Sequence, residues 1–194
     1  MSPMHPQSVF TLFPTSIGAC GIAWSARGIV AVQLPESDPQ STRARLQRTQ
    51  PQSRPGRAPP TIQRVIDDIT ALLAGEQRDL GAALLDMTGT SDFQHRVYAA
   101  TRTIAPGQTL SYGQVASLCG DAKAARAVGR ALGRNPFPII VPCHRVLAAG
   151  GKSGGFSAYG GVTTKLRLLQ LEGAAPALAT RQSALEPSSL ALPF

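Results

Sequence analysis

The sequence predicts an α/β protein built in two parts, a strand-rich N-terminal half and a C-terminal half of short helices. Three observations predict it. Across residues 9–35, short apolar runs alternate with turns that contain Gly, as in an antiparallel meander. Across residues 61–74, apolar residues recur with helical period. From Ser91 onward the chain becomes a series of short segments that open on Ser and break at Gly or Pro.

Residues 11–13, 21–24 and 28–34 are expected strands, with turns at Gly18 and across residues 25–28. Residues 41–48 read as a short basic helix. The Pro-, Arg- and Gln-rich residues 50–60 read as a mobile loop. Ile62, Val65, Ile66, Ile69, Leu72 and Leu73 mark the next helix, which Gly75 is placed to end. Residues 80–87 read as one more strand. The first domain is expected over residues 1–88.

In the second half, Ser91 can cap a helix running through Phe93, Val97 and Tyr98. Ala105-Pro106-Gly107 breaks the chain. Ser111 can cap a second helix over residues 112–119, and Gly120-Asp121 makes a tight turn. A third helix, rich in Ala, is expected over residues 122–133. Asn135-Pro136-Phe137-Pro138 ends it, because Pro cannot continue a helix and restricts the residue before it. Ile139-Ile140-Val141 reads as an apolar extended run, residues 150–161 as a glycine-rich loop, and residues 164–171 as a last helix. The second domain is expected over residues 89–173. Residues 174–194, rich in Ala, Pro, Ser and Leu, read as a disordered tail.

Formal net charge is +8, and it is unevenly placed. Residues 1–91 hold eight Lys/Arg against seven Asp/Glu, whereas residues 92–173 hold ten against three. Such a block suits a polyanion, whose phosphates attract it at long range. A solvated basic surface would look the same. Two helices joined by a tight Gly-containing turn form a helix-turn-helix candidate. Arg126, Arg130 and Arg134 recur every four residues along one face of its second element. Val128, Leu132 and Ala125 can form the buried face. The Ala residues and Gly129 carry little bulk, so that backbone can approach a groove closely.

Cys20, Cys119 and Cys143 are too few and too odd for a disulfide framework, which points to a reducing compartment. No stretch reaches the roughly 18 apolar residues of a membrane span, and residues 1–7 lack signal-peptide form. A soluble cytoplasmic protein with no membrane partner is expected. The chemical candidate is Pro142-Cys143-His144-Arg145-Val146. A thiol attacks as thiolate and needs a base or a positive charge nearby. In an extended strand, neighbouring side chains point to opposite faces. His144 would therefore need a bent backbone or a bridging water, and Pro136, Pro138 and Pro142 can supply an irregular path.

Several ordered blocks resemble the O6-alkylguanine-DNA alkyltransferase family, also called methylated-DNA–protein-cysteine methyltransferases. They are Leu110-Ser111-Tyr112-Gly113-Gln114-Val115-Ala116, Ala124-Ala125-Arg126-Ala127-Val128-Gly129, Gly133-Arg134-Asn135-Pro136-Phe137-Pro138-Ile139-Ile140-Val141-Pro142-Cys143-His144-Arg145-Val146, then Lys165 and Leu168-Leu169-Gln170-Leu171-Glu172-Gly173. The resemblance spans residues 90–173. It implies a ribonuclease-H-like sheet-and-helix domain followed by a winged-helix-like domain that binds the minor groove and flips the damaged base. It implies that Cys143 accepts the alkyl group, that His144 takes the thiol proton through a water, and that Glu172 orients His144. Asn135 would bridge the turn before the active-site segment, Tyr112 would assist departure of guanine, and Arg126 would fill the vacated stack. Ala125, Gly129, Arg130 and Arg134 would lie on the DNA-binding face beside Tyr112 and Arg126.

The implied reaction is stoichiometric, self-inactivating alkyl transfer from O6-alkylguanine, with O4-alkylthymine as a second candidate substrate. The implied partner is double-stranded DNA, bound by a monomer with no obligate protein partner and no cofactor. His5, Cys20 and His95 lack metal-site spacing, so no metal is expected. The loop Gly155-Phe156-Ser157-Ala158-Tyr159-Gly160-Gly161 is two residues longer than the family pattern. Three other functions compete with this one. A lesion-binding module without chemistry would lack a working cysteine. A transcription regulator would need a dimer and fixed half-site spacing. A cysteine hydrolase would turn over.

Overall fold

The structure is a computed structural model that describes residues 8–174. His5, residues 1–7 and the predicted tail beyond residue 174 lie outside the described residues. Ala174, assigned to that tail, is buried with Leu147 and Leu169. The fold is mixed α/β.

The meander forms as expected: β1 (Val9–Thr15), β2 (Gly18–Ser25) and β3 (Gly28–Gln33) pair antiparallel in sequence. Its two faces serve different neighbours. Cys20, Ile22 and Trp24 of β2 point into the main core, whereas Ala23 points to the other face with Phe10 and Ala31. A register shift between Ala23 and Trp24 opposite β3 leaves Val30 as an extra residue. Ile29 and Val32 can therefore share the main core while Ala31 faces away. Helix α1 (Pro39–Thr49) starts on Asp38, whose side chain accepts from Ser41 N–H at 2.9 Å, and it covers the Ala23 face with Thr42 and Leu46 buried.

The predicted loop of residues 50–60 contains a strand. β4 (Arg54–Pro55) pairs parallel with Val9 and Phe10 and completes the sheet order β3-β2-β1-β4. Pro is tolerated there because β4 is an edge strand. Helix α2 (Pro60–Leu73) buries Ile62, Ile66, Ile69, Leu72 and Leu73 against the other face. Each such side chain contributes roughly 1.5–3 kcal/mol of burial.

The strand predicted over residues 80–87 does not form; only a single bridge joins Leu85 to Ile29. The carbonyls of Leu80, Gly81 and Ala83 all accept from one nitrogen of Arg102, at 3.1, 2.7 and 2.9 Å. Carbonyls gathered on one cation cannot alternate as a ladder requires. Gly28, at φ +139, allows this segment to approach: a Cβ there would sit 2.7 Å from the Leu84 carbonyl oxygen.

Helices α3 (Asp92–Arg102) and α4 (Tyr112–Leu118) each open on a capping box, Ser91 with Gln94 and Ser111 with Gln114. Helix α5 (Ala125–Gly133) starts three residues later than the composition suggested. Residues 122–124 are a turn held by Asp121, which accepts from Lys123 N–H at 3.0 Å through its side chain and from Ala124 N–H through its carbonyl. A pair not foreseen, β5 (Leu110–Ser111) with β6 (Val146–Leu147), runs parallel and ties the start of α4 to the chain after Cys143. The last helix is α6 (Val162–Leu171). One core runs from the sheet through α2 into α3, α4 and α5. Among the described residues no helix is long and apolar enough to cross a membrane.

Candidate active site

The predicted extended run before Cys143 is a tight turn. Asn135 builds it from both ends: its Oδ1 accepts from Phe137 N–H and its Nδ2 donates to the Val141 carbonyl, both at 2.9 Å. Ile139 sits at φ +73, a conformation costly for a β-branched residue, on the order of 1–3 kcal/mol. The neighbouring sheet also holds the turn. Val32 N–H on the free edge of β3 donates to the Pro136 carbonyl at 2.8 Å.

Cys143, His144 and Arg145 then form one 3-10 turn rather than a strand. This resolves the strand geometry that would have turned His144 away from Cys143. At about 120° per residue, neighbouring side chains are no longer opposed. All three side chains are buried, His144 completely.

Behind the thiol lies a closed ionic network. His144 Nε2 lies 2.8 Å from Glu172 Oε1. Arg145 grips the same carboxylate with Nε on Oε2 at 2.9 Å and Nη2 on Oε1 at 2.8 Å, and its Nη1 donates to the Ile104 carbonyl. Burial alone would raise the Glu172 pKa. The hydrogen bonds from His144 and Arg145 outweigh that and bring it from 4.5 to about 2. Glu172 is thus a carboxylate and an acceptor, so His144 donates from Nε2 and keeps the lone pair on Nδ1. Burial lowers the His144 pKa and keeps the ring neutral. Nδ1 is buried and has no protein partner among the described residues. Such a nitrogen is free to accept a proton.

Burial raises the pKa of Cys143, and the Asn135 side chain and the Lys165 charge oppose this only in part. The resting group is therefore a thiol, and its proton must leave as attack proceeds. Cys20, pushed up to about 12 by burial, is an inert packing residue.

A cavity of about 420 Å³ opens on the thiol, lined by Tyr112, Gly129, Leu132, Gly133, Cys143 and Phe156, with Gly155 and Ser157 from the long loop. Tyr112 stands at the first position of α4, and burial raises its pKa, so its hydroxyl keeps its proton. Gly154, at φ +62, brings the loop against it; a Cβ there would lie 3.3 Å from the Tyr112 ring. A larger cavity of about 630 Å³ lies in the N-terminal half, between Trp24, Ile62 and Leu80, and contains none of these reactive groups.

The structure thus brings Cys143, His144, Glu172, Asn135 and Tyr112 together, with Gly129 on the cavity wall. Arg126, Arg130 and Arg134 are exposed along α5, while Val128, Ala131 and Leu132 face the core. Ala125 is half-buried at the start of α5. Two site residues were read in the sequence without the part they play here, Arg145 only as a charge beside the thiol and Lys165 only within a motif. Arg145 completes the carboxylate clamp. Lys165, fully buried, donates to the Val146 carbonyl at 2.6 Å and lies 5.9 Å from the centre of the Tyr112 ring. Burial brings its pKa to about 8. The available signal was a pair of charges set among apolar residues, Arg145 before Val146 and Leu147, and Lys165 before Leu168 and Leu169. Among the described residues no three His, Cys, Asp or Glu side chains gather as a metal site.

Fold and site together define a mixed α/β protein whose buried thiol, backed by a His–Glu–Arg network, opens on a cavity beside the arginine-bearing helix α5. The family model for the DNA-binding domain of 6-O-methylguanine DNA methyltransferase matches residues 92–174. The methylated-DNA–protein-cysteine methyltransferase of Methanothermobacter thermautotrophicus is 35% identical over 153 residues, covering 79% of this chain and 78% of that protein. Its counterpart in Mycobacterium tuberculosis is 50% identical over 107 residues, covering 55% of this chain and 62% of that one. Among solved structures, Mycobacterium tuberculosis OGT in complex with DNA superimposes with a TM-score of 0.69 at 35% identity, over 88% of this chain and 97% of that one. The chain belongs to the methylated-DNA–protein-cysteine methyltransferase family.

Proposed function

We propose that this protein repairs DNA directly, moving an alkyl group from O6 of guanine in duplex DNA to Sγ of Cys143. The observation that carries the reading is the Nδ1 of a fully buried His144, without a partner among the described residues, whose other nitrogen is fixed by Glu172 within one turn of the thiol. A water between Sγ and Nδ1 would complete a Cys–water–His–Glu relay. As the S–C bond forms, the C–O6 bond breaks. The thiol proton passes to His144, and the Tyr112 hydroxyl gives its proton to the departing guanine; the imidazolium and phenolate so formed return to neutrality by proton exchange with water, so that in sum one proton leaves the thiol and one reaches guanine. That proton relieves a poor leaving group. No step of this mechanism cleaves the thioether, so one alkyl group is taken per protein.

The damaged base must leave the stack, and the cavity beside Gly129 and Gly133 is where it would go. Arg126, exposed on α5, takes its place in the duplex, with Arg130 and Arg134 on flanking phosphates. The sheet flanked by α1 and α2 supports a ribonuclease-H-like domain over residues 1–88. The capped pair α4–α5 packed on α3 supports a winged-helix-like domain over residues 89–173. The protein acts in the cytoplasm as a monomer, with no obligate protein partner.

Mixing the protein with duplex DNA containing O6-methylguanine should add one methyl mass per protein, mapped to Cys143. Tight lesion binding with no mass gain would replace this reading with lesion recognition alone. Tyr112→Phe should slow transfer about 100-fold while leaving its stoichiometry at one; an unchanged rate would remove Tyr112 from proton donation. Arg126→Ala should slow reaction on duplex DNA more than on free O6-alkylguanine. Equal slowing on both would place Arg126 in the pocket instead.

A further inference from the structure

Residues 39–60 hold five arginines and no acidic residue, and the alkyl-transfer chemistry uses none of them. Helix α1 buries Thr42 and Leu46, leaving its arginines to the outside. Arg45, Thr49 and Gln50 line one side of a cavity of about 410 Å³ whose other wall includes Gly133 and Arg134, at the end of α5, and Cys143. The C-terminal half of α1 and the C-terminal end of α5 therefore face each other across one opening beside the reactive thiol. The α5 stripe runs about 12 Å from Arg126 to Arg134, and Arg134 at its end lines the same cavity as Arg45 of α1.

The α1 arginines are not equivalent. Arg45 is paired with Glu36 at 3.2 Å and reaches the Ser157 carbonyl of the long loop at 3.4 Å. Arg48 follows three residues later on the same flank, is exposed, and makes no ion pair among the described residues. Arg43 projects on the opposite flank, its guanidinium 5.8 Å over the Phe10 ring.

We propose that α1 is a second DNA contact, in which Arg48, seconded by Arg45, takes a backbone phosphate of the duplex that α5 holds, on the side of the flipped base nearest the N-terminal domain. This rests on the proposed function only in taking duplex DNA as the substrate. The contact is sequence-independent and serves to lengthen the footprint. Each phosphate neutralised steepens the fall of log K with log salt by about 0.9.

The test is fluorescence anisotropy of a labelled O6-methylguanine duplex titrated with full-length protein at several salt concentrations. Arg48→Gln should make the slope shallower by about 0.9, and Arg48→Glu should weaken binding further. Arg43→Gln makes the same change in net charge on the other flank and should leave the slope at the wild-type value. An unchanged slope for Arg48→Gln, or equal changes for Arg48→Gln and Arg43→Gln, would overturn the contact, the second outcome reducing it to overall charge. Failure of the alkyl-transfer reading shows separately, as wild-type protein that gains no methyl mass on this duplex while the slope difference between the two variants persists.

Discussion

Cys143→Ser should gain no methyl mass from an O6-methylguanine duplex under conditions where the wild type gains one, while its affinity for that duplex stays close to the wild-type value. The substitution exchanges one small atom at a buried position and leaves the Asn135 turn, the His144–Glu172 pair and the α5 arginines in place. What it removes is the soft, acidic nucleophile. Burial already holds the thiol above its usual pKa, so His144 must take its proton during attack. A hydroxyl is a far weaker acid, and the same neutral imidazole cannot make it reactive. The His144 pKa is itself lowered by burial from its ordinary 6.5. A base with a lowered pKa stays neutral further into acid, so the wild-type rate should hold as pH falls below 6.5 and be lost only at lower pH. Transfer by Cys143→Ser, or a methyl group mapped to Cys20 or Cys119, would refute the acceptor assignment. A wild-type rate already falling by half at pH 6.5 would refute the neutral-base account.

The sequence made the starts of α3 and α4 legible because their signals are local. Ser91 with Gln94, and Ser111 with Gln114, are capping boxes written within four residues. It made the cysteine, its histidine and the carboxylate visible only as an ordered set, since each alone is an ordinary residue. It misread the segments whose shape is set from elsewhere. Residues 80–87 have strand-like composition, yet Arg102, well downstream, collects their carbonyls. Residues 139–141 look extended, yet Asn135 closes them into a turn that places Ile139 at positive φ. β4 was hidden in a Pro- and Arg-rich stretch because its pairing depends on Val9 and Phe10, at the start of β1. Arg145 could be read only as a charge beside the thiol, because its function depends on a carboxylate 27 residues away.

Glu172→Gln should cost both stability and rate. The carboxylate is nearly fully buried and accepts three hydrogen bonds from two side chains. Removing its charge leaves Arg145 buried without a counter-ion, a change that typically costs about 3–5 kcal/mol. The pKa gives an independent figure of similar size. A carboxyl held near 2 when folded and near 4.5 when free contributes about 3 kcal/mol at neutral pH. Because the folded pKa is the lower one, this stability is present above pH 4.5 and is lost as pH falls from 4.5 toward 2. The urea midpoint of the wild type should therefore exceed that of Glu172→Gln at neutral pH, and the gap should close across that acid window. A gap that stays constant with pH would mean that the charge is not what the network needs. The rate should fall on the order of 100-fold or more, for a reason separate from folding. The amide introduced by Glu172→Gln can donate to Nε2, which would move the imidazole proton to Nδ1 and leave no lone pair toward the thiol. Arg145→Met separates the two effects. It removes the clamp but keeps the Glu172–His144 hydrogen bond, so it should lower stability while sparing most of the rate in the protein that remains folded. Equal loss of rate in both variants would place the catalytic demand on the whole ionic network rather than on the imidazole tautomer.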